Sequence, residues 1–236
     1  MKIEEATETI AKFFNDLIGA WVPGAVFAIS LVLMHLGPEG LQSIVKFSDT
    51  TSASLTLAGL LFALGHALLA LHEQALKRLL SCIKFAKDFD KADAMKRQSY
   101  TWFAELVRAQ QTGPNVADWS YNDLRSLALS VSNEAASLGR RFMFISLLCN
   151  GVGTALAIVV FDFAFCSWLS PELLFSYDRA APWQLQALLL LGVALTLFKQ
   201  GETFYGRAMA TPFSIAVAEL KFKNDTDAGQ SSTTPS

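Results

Sequence analysis

The sequence predicts an all-α, polytopic membrane protein with four transmembrane helices and a helical cytoplasmic domain that is formed by extensions of these spans. Three observations predict this class. The chain is 52% apolar and only 17% charged, it contains four uncharged stretches of membrane-spanning length, and its lysines and arginines are distributed very unevenly. The apolar share and the mean hydropathy of +0.35 exceed those of an ordinary soluble domain.

The composition also excludes several classes of protein. Three cysteines among 236 residues cannot form the disulfide framework of a small secreted protein. The formal net charge of −2 provides no overall field that would attract nucleic acid. We therefore expect the lipid bilayer, and no nucleic acid, as a partner.

Four stretches carry no formal charge over 19 or 20 residues each, and about 20 apolar residues in a helix cross the ~30 Å of membrane hydrocarbon. They are residues 17–35, 52–71, 142–161 and 180–198. Acidic residues, rather than the basic region of a signal peptide, precede the first stretch. We therefore expect it to stay in the mature protein as a helix.

The basic residues predict the orientation of the spans. Of the 19 Lys and Arg, two lie before the first span, eleven in residues 72–141 and four after the last span, while each of the two remaining loops holds one. Cytoplasmic segments of membrane proteins are enriched in Lys and Arg. We therefore expect a multi-pass protein of the bacterial inner (plasma) membrane, with both termini and the long central segment in the cytoplasm.

The segments next to the first hairpin are expected to be helical. Residues 1–16 have one apolar and one acidic face, so we expect an amphipathic helix that docks on the chain's own basic region 77–97 rather than on anionic lipid. The second span should continue as helix through residues 72–89, since neither Gly nor Pro interrupts it. A further helix is expected over about residues 91–110.

The next cytoplasmic helix is predicted to begin at a capping box. Ser120 and Asp123 have the required spacing, and the apolar residues that follow recur at helical intervals. We expect one unbroken helix of about 45 residues, ~65–70 Å long, from this cap through the third span. Beyond the fourth span we expect more helix, bent at Pro212, and then a disordered tail over residues 226–236.

These expectations divide the chain into five parts. They are an amphipathic helix (1–16), a first transmembrane hairpin (17–71), a cytoplasmic helical domain (72–141), a second hairpin (142–198), and a cytoplasmic helical extension with the tail (199–236).

In both outer loops, at Pro38 and Pro171, a proline stands where a helix can start, because its missing N–H costs nothing at the first helical position.

Polar residues inside the spans are the first candidate site. Ser146, Asn150 and Thr154 share one face of the third span, and His66 lies at a similar depth on a small-residue face of the second. Polar groups in hydrocarbon are costly, so they face the bundle interior or a water path. Two interpretations stay open: a tightly packed, hydrogen-bonded layer, or a water-accessible path or gate.

Two weaker candidates lie in the cytoplasmic segments. Four basic side chains could contact an anionic ligand or lipid headgroups, although the positive-inside rule alone explains them; they are Lys77, Arg78, Lys84 and Lys87. Glu202 and Arg207, below the fourth span, could couple that helix to the cytoplasmic domain, or could simply be surface residues.

No catalytic or cofactor site is predicted. The sequence contains no Gly-rich phosphate loop, no GxSxG and no HExxH. His35 and His72 lie at opposite ends of the spans, and the three cysteines lie at different depths, so neither set assembles a zinc site. We expect no metal, no cofactor and no enzymatic activity.

Nearly all polar residues lie in the segments predicted to be cytoplasmic, and this uneven distribution suggests a function. We expect a non-enzymatic, signal-responsive membrane effector or pore-like homo-oligomer that is controlled through its cytoplasmic domain, in response to a signal or a cytoplasmic protein partner. Small effectors of bacterial stress or phage defence share this architecture, which is an analogy of build only. Two alternatives remain. One is a small constitutive transporter or channel, and the other is a lipid-modifying enzyme with His72, Glu73, Arg140 and Glu202 at its inner interface.

Overall fold

The computed structural model describes residues 2–48, 50–85, 89–110, 119–177 and 181–230; residues 2–16, 47, 110 and 222–230 are described by their backbone alone. All regular structure in these ranges is helical. Four helices are long and apolar enough to cross a membrane. The predicted all-α class and the four candidate spans are therefore confirmed.

Nine α-helices and two short helical turns follow one another along the described residues. They are α1 (Lys2–His35), α2 (Gly37–Phe47), α3 (Thr51–Leu71), a π-helical turn (His72–Leu76), α4 (Lys77–Cys82), α5 (Lys91–Met95), α6 (Gln98–Gln110), α7 (Tyr121–Val131), α8 (Asn133–Leu169), a 3₁₀ turn (Pro171–Leu173) and α9 (Trp183–Gln230).

The described residues form two compact units. Unit 1 comprises residues 1–87 and 144–202, and unit 2 comprises residues 88–143 and 203–236. Two helices, α8 and α9, contribute residues to both units. The candidate spans lie largely in unit 1, which contains all of α1 and α3.

Two glycines allow α1 and α3 to pack backbone against backbone in unit 1. A Cβ on Gly24 would overlap the carbonyl oxygen of Leu61, and a Cβ on Gly65 would overlap that of Ala20. Small residues permit this close approach between membrane helices, where van der Waals packing replaces the hydrophobic effect as the driving force.

Unit 2 has its own aromatic core. Its buried residues include Tyr100 and Phe103 from α6, Tyr121 from α7, and Phe213 from α9. The rings of Tyr100 and Tyr121 are stacked 5.5 Å apart, and the ring of Phe213 lies edge-on to both. Aromatic pairs in these geometries stabilise a core beyond their buried area.

The sequence anticipated several helix ends. Ser120 and Asp123 form the predicted capping box, with both reciprocal hydrogen bonds present. Pro38 lies in the first turn of α2 and Pro171 in that of the 3₁₀ turn. Pro212 lies inside α9, which continues as one helix through it.

The helix that continues from the second span ends earlier than predicted. The helix continues past Leu71 through the π-helical turn but ends at Cys82, not at residue 89. Lys84 adopts the left-handed conformation, with φ of 58°, Phe85 N–H donates to the Leu80 carbonyl, and Lys84 N–H donates to that of Ser81. This is a Schellman motif. The sequence concealed it because lysine occupies the position where glycine is usual.

The predicted unbroken helix into the third span is also wrong. α7 ends at Val131, and Ser132 is extended, with φ of −126° and ψ of 117°. The buried hydroxyl of Ser132 accepts a hydrogen bond from Ala135 N–H at 3.1 Å. Ser132 therefore caps the start of α8, a role for which serine is well suited.

Three further boundaries differ from the prediction. Residues 2–16 belong to the long helix α1, and the predicted docking of residues 1–16 on region 77–97 lies outside the described side chains. Two short helices, α5 and α6, replace the single helix expected over 91–110. α9 extends to Gln230, past the expected start of the tail at 226, and residues 231–236 lie outside the described part of the chain.

Candidate functional site

A polar network in unit 1 is centred on His72, at the start of the π-helical turn. This side chain is only 5% exposed, and its ring stacks on that of Phe198 with centroids 5.5 Å apart. Its Nδ1 lies 3.2 Å from the hydroxyl of Thr154. Single π-helical turns inside α-helices occur frequently at functional sites.

The hydrogen-bond partners determine which atoms of this network carry protons. The Thr154 hydroxyl donates to the Asn150 carbonyl at 2.8 Å, and a carbonyl can only accept. The same hydroxyl oxygen then accepts from His72 Nδ1–H, because its one proton is already used. The other ring nitrogen, Nε2, is therefore the unprotonated one in the neutral side chain.

The network continues along α8 to α9. The Ser146 hydroxyl donates to the Gly201 carbonyl at 2.8 Å. The amide of Asn150 lies against Gly201 so closely that a Cβ on that glycine would overlap Asn150 Oδ1. Three of the predicted intramembrane polar residues, Ser146, Asn150 and Thr154, are thus together at the contact of α8 with α9.

His66 does not join this group. It lies on α3 with an exposed side chain, and its ring meets the edge of Phe62 at a centroid distance of 4.5 Å. His72, six residues further along, takes the place in the network that sequence reasoning gave to His66. The sequence does place His72 on the same helical stretch as His66. The prediction left it out of the polar layer because it stands at the boundary of the span.

Of the four basic residues predicted to contact an anion, three lie in the described part of the chain. Lys77 Nζ lies 3.4 Å from Glu73 Oε2, and Arg78 and Lys84 are exposed. Lys87 lies outside the described residues. The role of this group in binding an anion stays a prediction.

The two residues predicted to couple the fourth span each have a neighbour on α9. Glu202 accepts a charged hydrogen bond from Lys199 at 3.0 Å. The guanidinium of Arg207 lies over the ring of Phe204, 5.4 Å from its centroid.

A second polar cluster lies at the opposite end of the spans in unit 1. His35, the last residue of α1, has Nε2 at 2.8 Å from Asp162 Oδ2 and Nδ1 at 2.8 Å from the Leu173 carbonyl. The thiol of Cys166 is 3.8 Å from Asp162 Oδ1. The sequence prediction considered only histidines and cysteines as metal ligands, and it therefore missed this cluster, in which the carboxylate of Asp162 is the central group.

The loop after α8 holds this cluster against the end of α1. Phe175 N–H donates to the Met34 carbonyl at 2.9 Å, and the Tyr177 hydroxyl donates to the Leu33 carbonyl at 2.6 Å. These are carbonyls of the last helical turn, which lack intrahelical donors. The loop therefore caps the end of α1. It also places the Leu173 carbonyl within hydrogen-bond distance of His35.

An apolar cavity of about 440 Å³ adjoins the same loop. α1, α8 and α9 line it, and Ser167 places there a buried hydroxyl that has no hydrogen-bond partner among the described residues. Its volume falls within the range of small-molecule sites.

In unit 2, polar side chains of α7 bind the carbonyls around Pro212. This proline cannot donate to the Ala208 carbonyl one turn earlier, and that carbonyl instead accepts from Arg125 Nη2 at 3.0 Å and Nε at 3.3 Å. The Tyr121 hydroxyl donates to the Met209 carbonyl at 2.9 Å. Burial raises the pKa of Tyr121 to about 12 and lowers the pKa of Arg125.

No protein family, curated protein sequence or solved structure matches this chain.

Proposed function

We propose that the chain is a non-enzymatic protein of the bacterial inner membrane, a signal-responsive effector that forms a pore-like homo-oligomer under the control of unit 2. In this proposal, unit 2 and both termini are cytoplasmic and the spans cross the bilayer. A stress or phage-defence role is the biological setting that this build favours. The signal is a ligand or a cytoplasmic protein partner that binds unit 2.

The observation that carries the proposal is the course of the two longest helices. α8 and α9 have 37 and 48 residues, and each belongs partly to unit 1 and partly to unit 2. If a change of state in unit 2 shifts either helix, the part of that helix in unit 1 should move as well, since packed helices move as rigid elements between discrete arrangements.

The contact of α7 with α9 supplies an element on which a signal can act. Arg125 and Tyr121 donate to two carbonyls one turn before Pro212, and one of these, that of Ala208, lacks its helical donor because of the proline. A ligand that competes for these groups changes the equilibrium only by its differential affinity for the two states.

The exposed face of α3 supports self-association. Small residues and a histidine lie along it, and their side chains are exposed in the single chain; they are Gly59, Ala63, His66, Ala67 and Ala70. A histidine directed at lipid is costly, whereas between helices it finds hydrogen-bond partners and small residues allow close approach. A second copy of the chain would cover this face.

The network around His72 bears on the two alternatives. A constitutive channel within one chain needs polar groups that can form hydrogen bonds with water. The hydroxyl groups of Ser146 and Thr154 instead donate to carbonyls within unit 1. A lipid-modifying enzyme with His72 as its base needs that ring to be accessible, and it is buried. Both observations favour packing over transport or catalysis.

A dye-release experiment tests the proposal. The full-length protein is reconstituted in vesicles of phosphatidylethanolamine and phosphatidylglycerol that contain a self-quenching dye, and Arg125→Met stands in for the signal. We expect dye release to rise about tenfold over wild type, as for a coupling free energy of ~1.4 kcal/mol. The matched control Arg108→Met, at an exposed arginine of α6, should leave release unchanged.

A second pair of variants tests the oligomer. Ala63→Trp, added to Arg125→Met, should abolish release and lower the native mass in detergent, whereas Leu189→Trp on the exposed face of α9 should do neither. If folded Arg125→Met protein releases no dye, the pore proposal is wrong. If release persists in the Ala63→Trp variant, the α3 face is not the interface.

A further inference from the structure

We propose that His35, Asp162 and Cys166 form a binding site for a transition metal of the zinc class, at the end of unit 1 predicted to face outward. Their potential ligand atoms lie within 4.8 Å of one another. The site is separate from the network around His72, and it does not depend on the effector function proposed above.

The orientation of His35 is that of a metal ligand. The Leu173 carbonyl can only accept, so His35 Nδ1 carries a proton, and Nε2 is the atom directed at Asp162. Metal-bound histidines almost always donate their other ring N–H to a carbonyl or carboxylate, which fixes the tautomer and the ring orientation. The loop after α8 supplies this outer contact and is itself anchored to α1 by Phe175 and Tyr177.

The separations between ligand atoms fit a tetrahedral ion. With ordinary zinc–oxygen, zinc–nitrogen and zinc–sulfur bonds, tetrahedral geometry places oxygen and sulfur ~3.6 Å apart and nitrogen and oxygen ~3.4 Å apart. Asp162 Oδ1 and Cys166 Sγ are already 3.8 Å apart. His35 Nε2 lies 2.8 Å from the other carboxylate oxygen, Asp162 Oδ2, and this contact has to open before the ring nitrogen and one carboxylate oxygen can bind the same ion.

The site has rigid ligands and an open side. Asp162 and Cys166 are one turn apart on α8, so a single helix presents both. The side chains of His35 and Asp162 are 29% and 35% exposed, which leaves an entry path and room for water as a fourth ligand. Cys166 is 5% exposed and forms the inner wall.

The donor set selects the class of metal. One imidazole, one carboxylate and one thiolate suit Zn²⁺ or Co²⁺, whereas Ca²⁺ and Mg²⁺ take oxygen ligands. On binding, the Cys166 thiol loses its proton to solvent, and so does His35 Nε2 wherever the imidazole is doubly protonated. Metal affinity should therefore increase with pH.

Cobalt binding to the full-length protein in detergent tests the proposal. We expect one Co²⁺ per chain, with the near-ultraviolet charge-transfer band of a thiolate ligand and the visible bands of tetrahedral cobalt. Zn²⁺ should displace it. Cys166→Ala should remove the thiolate band and weaken binding by more than about 100-fold, since loss of even an outer-shell partner costs 10–100-fold.

Matched variants separate this site from the other thiols and imidazoles. Cys149→Ala, on the same helix, and His66→Gln, on an exposed face, should bind as wild type does, whereas His35→Gln and Asp162→Asn should not. In a protein with Cys82→Ser and Cys149→Ala, Zn²⁺ should protect Cys166 from a small maleimide. This measurement needs no change at the site and therefore stands even if the ligand variants misfold.

Two results would overturn the proposal. One is wild-type protein that gains no thiolate–cobalt band with excess Co²⁺, in which case His35 and Asp162 form only an ion pair. The other is a band that survives in Cys166→Ala, which would assign the metal to a different thiol.

Discussion

Pro212 shows how one residue organises unit 2. It deprives the Ala208 carbonyl of its helical donor, and the side chain of Arg125 replaces that donor with two N–H groups. Leaving a buried carbonyl unsatisfied costs about 1–3 kcal/mol. The proline therefore weakens α9 as an isolated helix and, through the same carbonyl, gives α7 a specific place to dock.

Tyr121 should make the protein sensitive to alkali. Burial favours its neutral form and raises its pKa to about 12, whereas in the unfolded chain it ionises near pH 10. Its contribution to stability is complete below about pH 10 and is lost as the pH rises towards 12. Absorbance of tyrosinate should therefore show a component that titrates near pH 12 in wild type and is missing in Tyr121→Phe.

Tyr100 is the control for that titration. Burial also raises its pKa, and its ring lies stacked on that of Tyr121, but the hydroxyl that donates to the Met209 carbonyl is that of Tyr121. Tyr100→Phe should keep the component near pH 12. If the component near pH 12 persisted in Tyr121→Phe, a different tyrosine would be the one shielded from ionisation.

At the scale of elements, glycines decide which helices touch. Gly65 of α3 lies against the Ala20 carbonyl and Gly24 of α1 lies against that of Leu61. Gly59, on the same helix as Gly65, has no neighbouring atom within 4 Å of the position a Cβ would occupy. The sequence places both α3 glycines among small residues and does not distinguish them.

Gly65→Ala should therefore separate α1 from α3, whereas Gly59→Ala should not. The new methyl group would overlap a backbone carbonyl, which cannot rotate away, so we expect a loss of at least ~2 kcal/mol. Gly59→Ala should be neutral or gain up to ~1 kcal/mol from its better helix propensity. Thermal unfolding in detergent micelles, followed by circular dichroism, measures both. Equal stability of the two variants would contradict this close approach of α1 and α3.

Helix ends were predictable only where local chemistry marks them. The capping box of Ser120 and Asp123 and the prolines at 38 and 171 follow from standard positional preferences, and each begins a helical segment. The stop at Lys84 and the break at Ser132 do not, because a left-handed lysine and a serine within apolar periodicity carry no unambiguous signal. The first position is settled by the packing of Phe85 against the cluster of Leu80, Ala194 and Phe198, and the second by burial of the Ser132 hydroxyl.

At the scale of the whole molecule, the basic residues predict the side of the membrane on which each segment lies. Cys82, exposed at the end of α4, is predicted to lie in the cytoplasm together with 17 of the 19 Lys and Arg. In intact cells, a membrane-impermeant maleimide should leave Cys82 unlabelled until the membrane is opened. A cysteine introduced by Ser170→Cys, in the loop after α8, should be labelled at once.

The background for that experiment is Cys149→Ala with Cys166→Ala, so that each protein has one thiol of interest. Ser170→Cys also carries Cys82→Ser. Labelling of Cys82 in intact cells would reverse the predicted orientation, and with it the cytoplasmic assignment of unit 2. Permeabilised cells, in which both thiols should react, control for accessibility.

The helical class, the four candidate spans and the polar stripe of Ser146, Asn150 and Thr154 follow from the sequence alone, because hydropathy and helical period are local properties of the chain. Tertiary structure decided the partners. It brought His72 rather than His66 to that stripe, joined His35 to Asp162 and Cys166, and paired Arg125 with the carbonyl that Pro212 leaves open. Such contacts join residues more than 80 positions apart, and they depend on helix rotation and close approach, which no local pattern encodes.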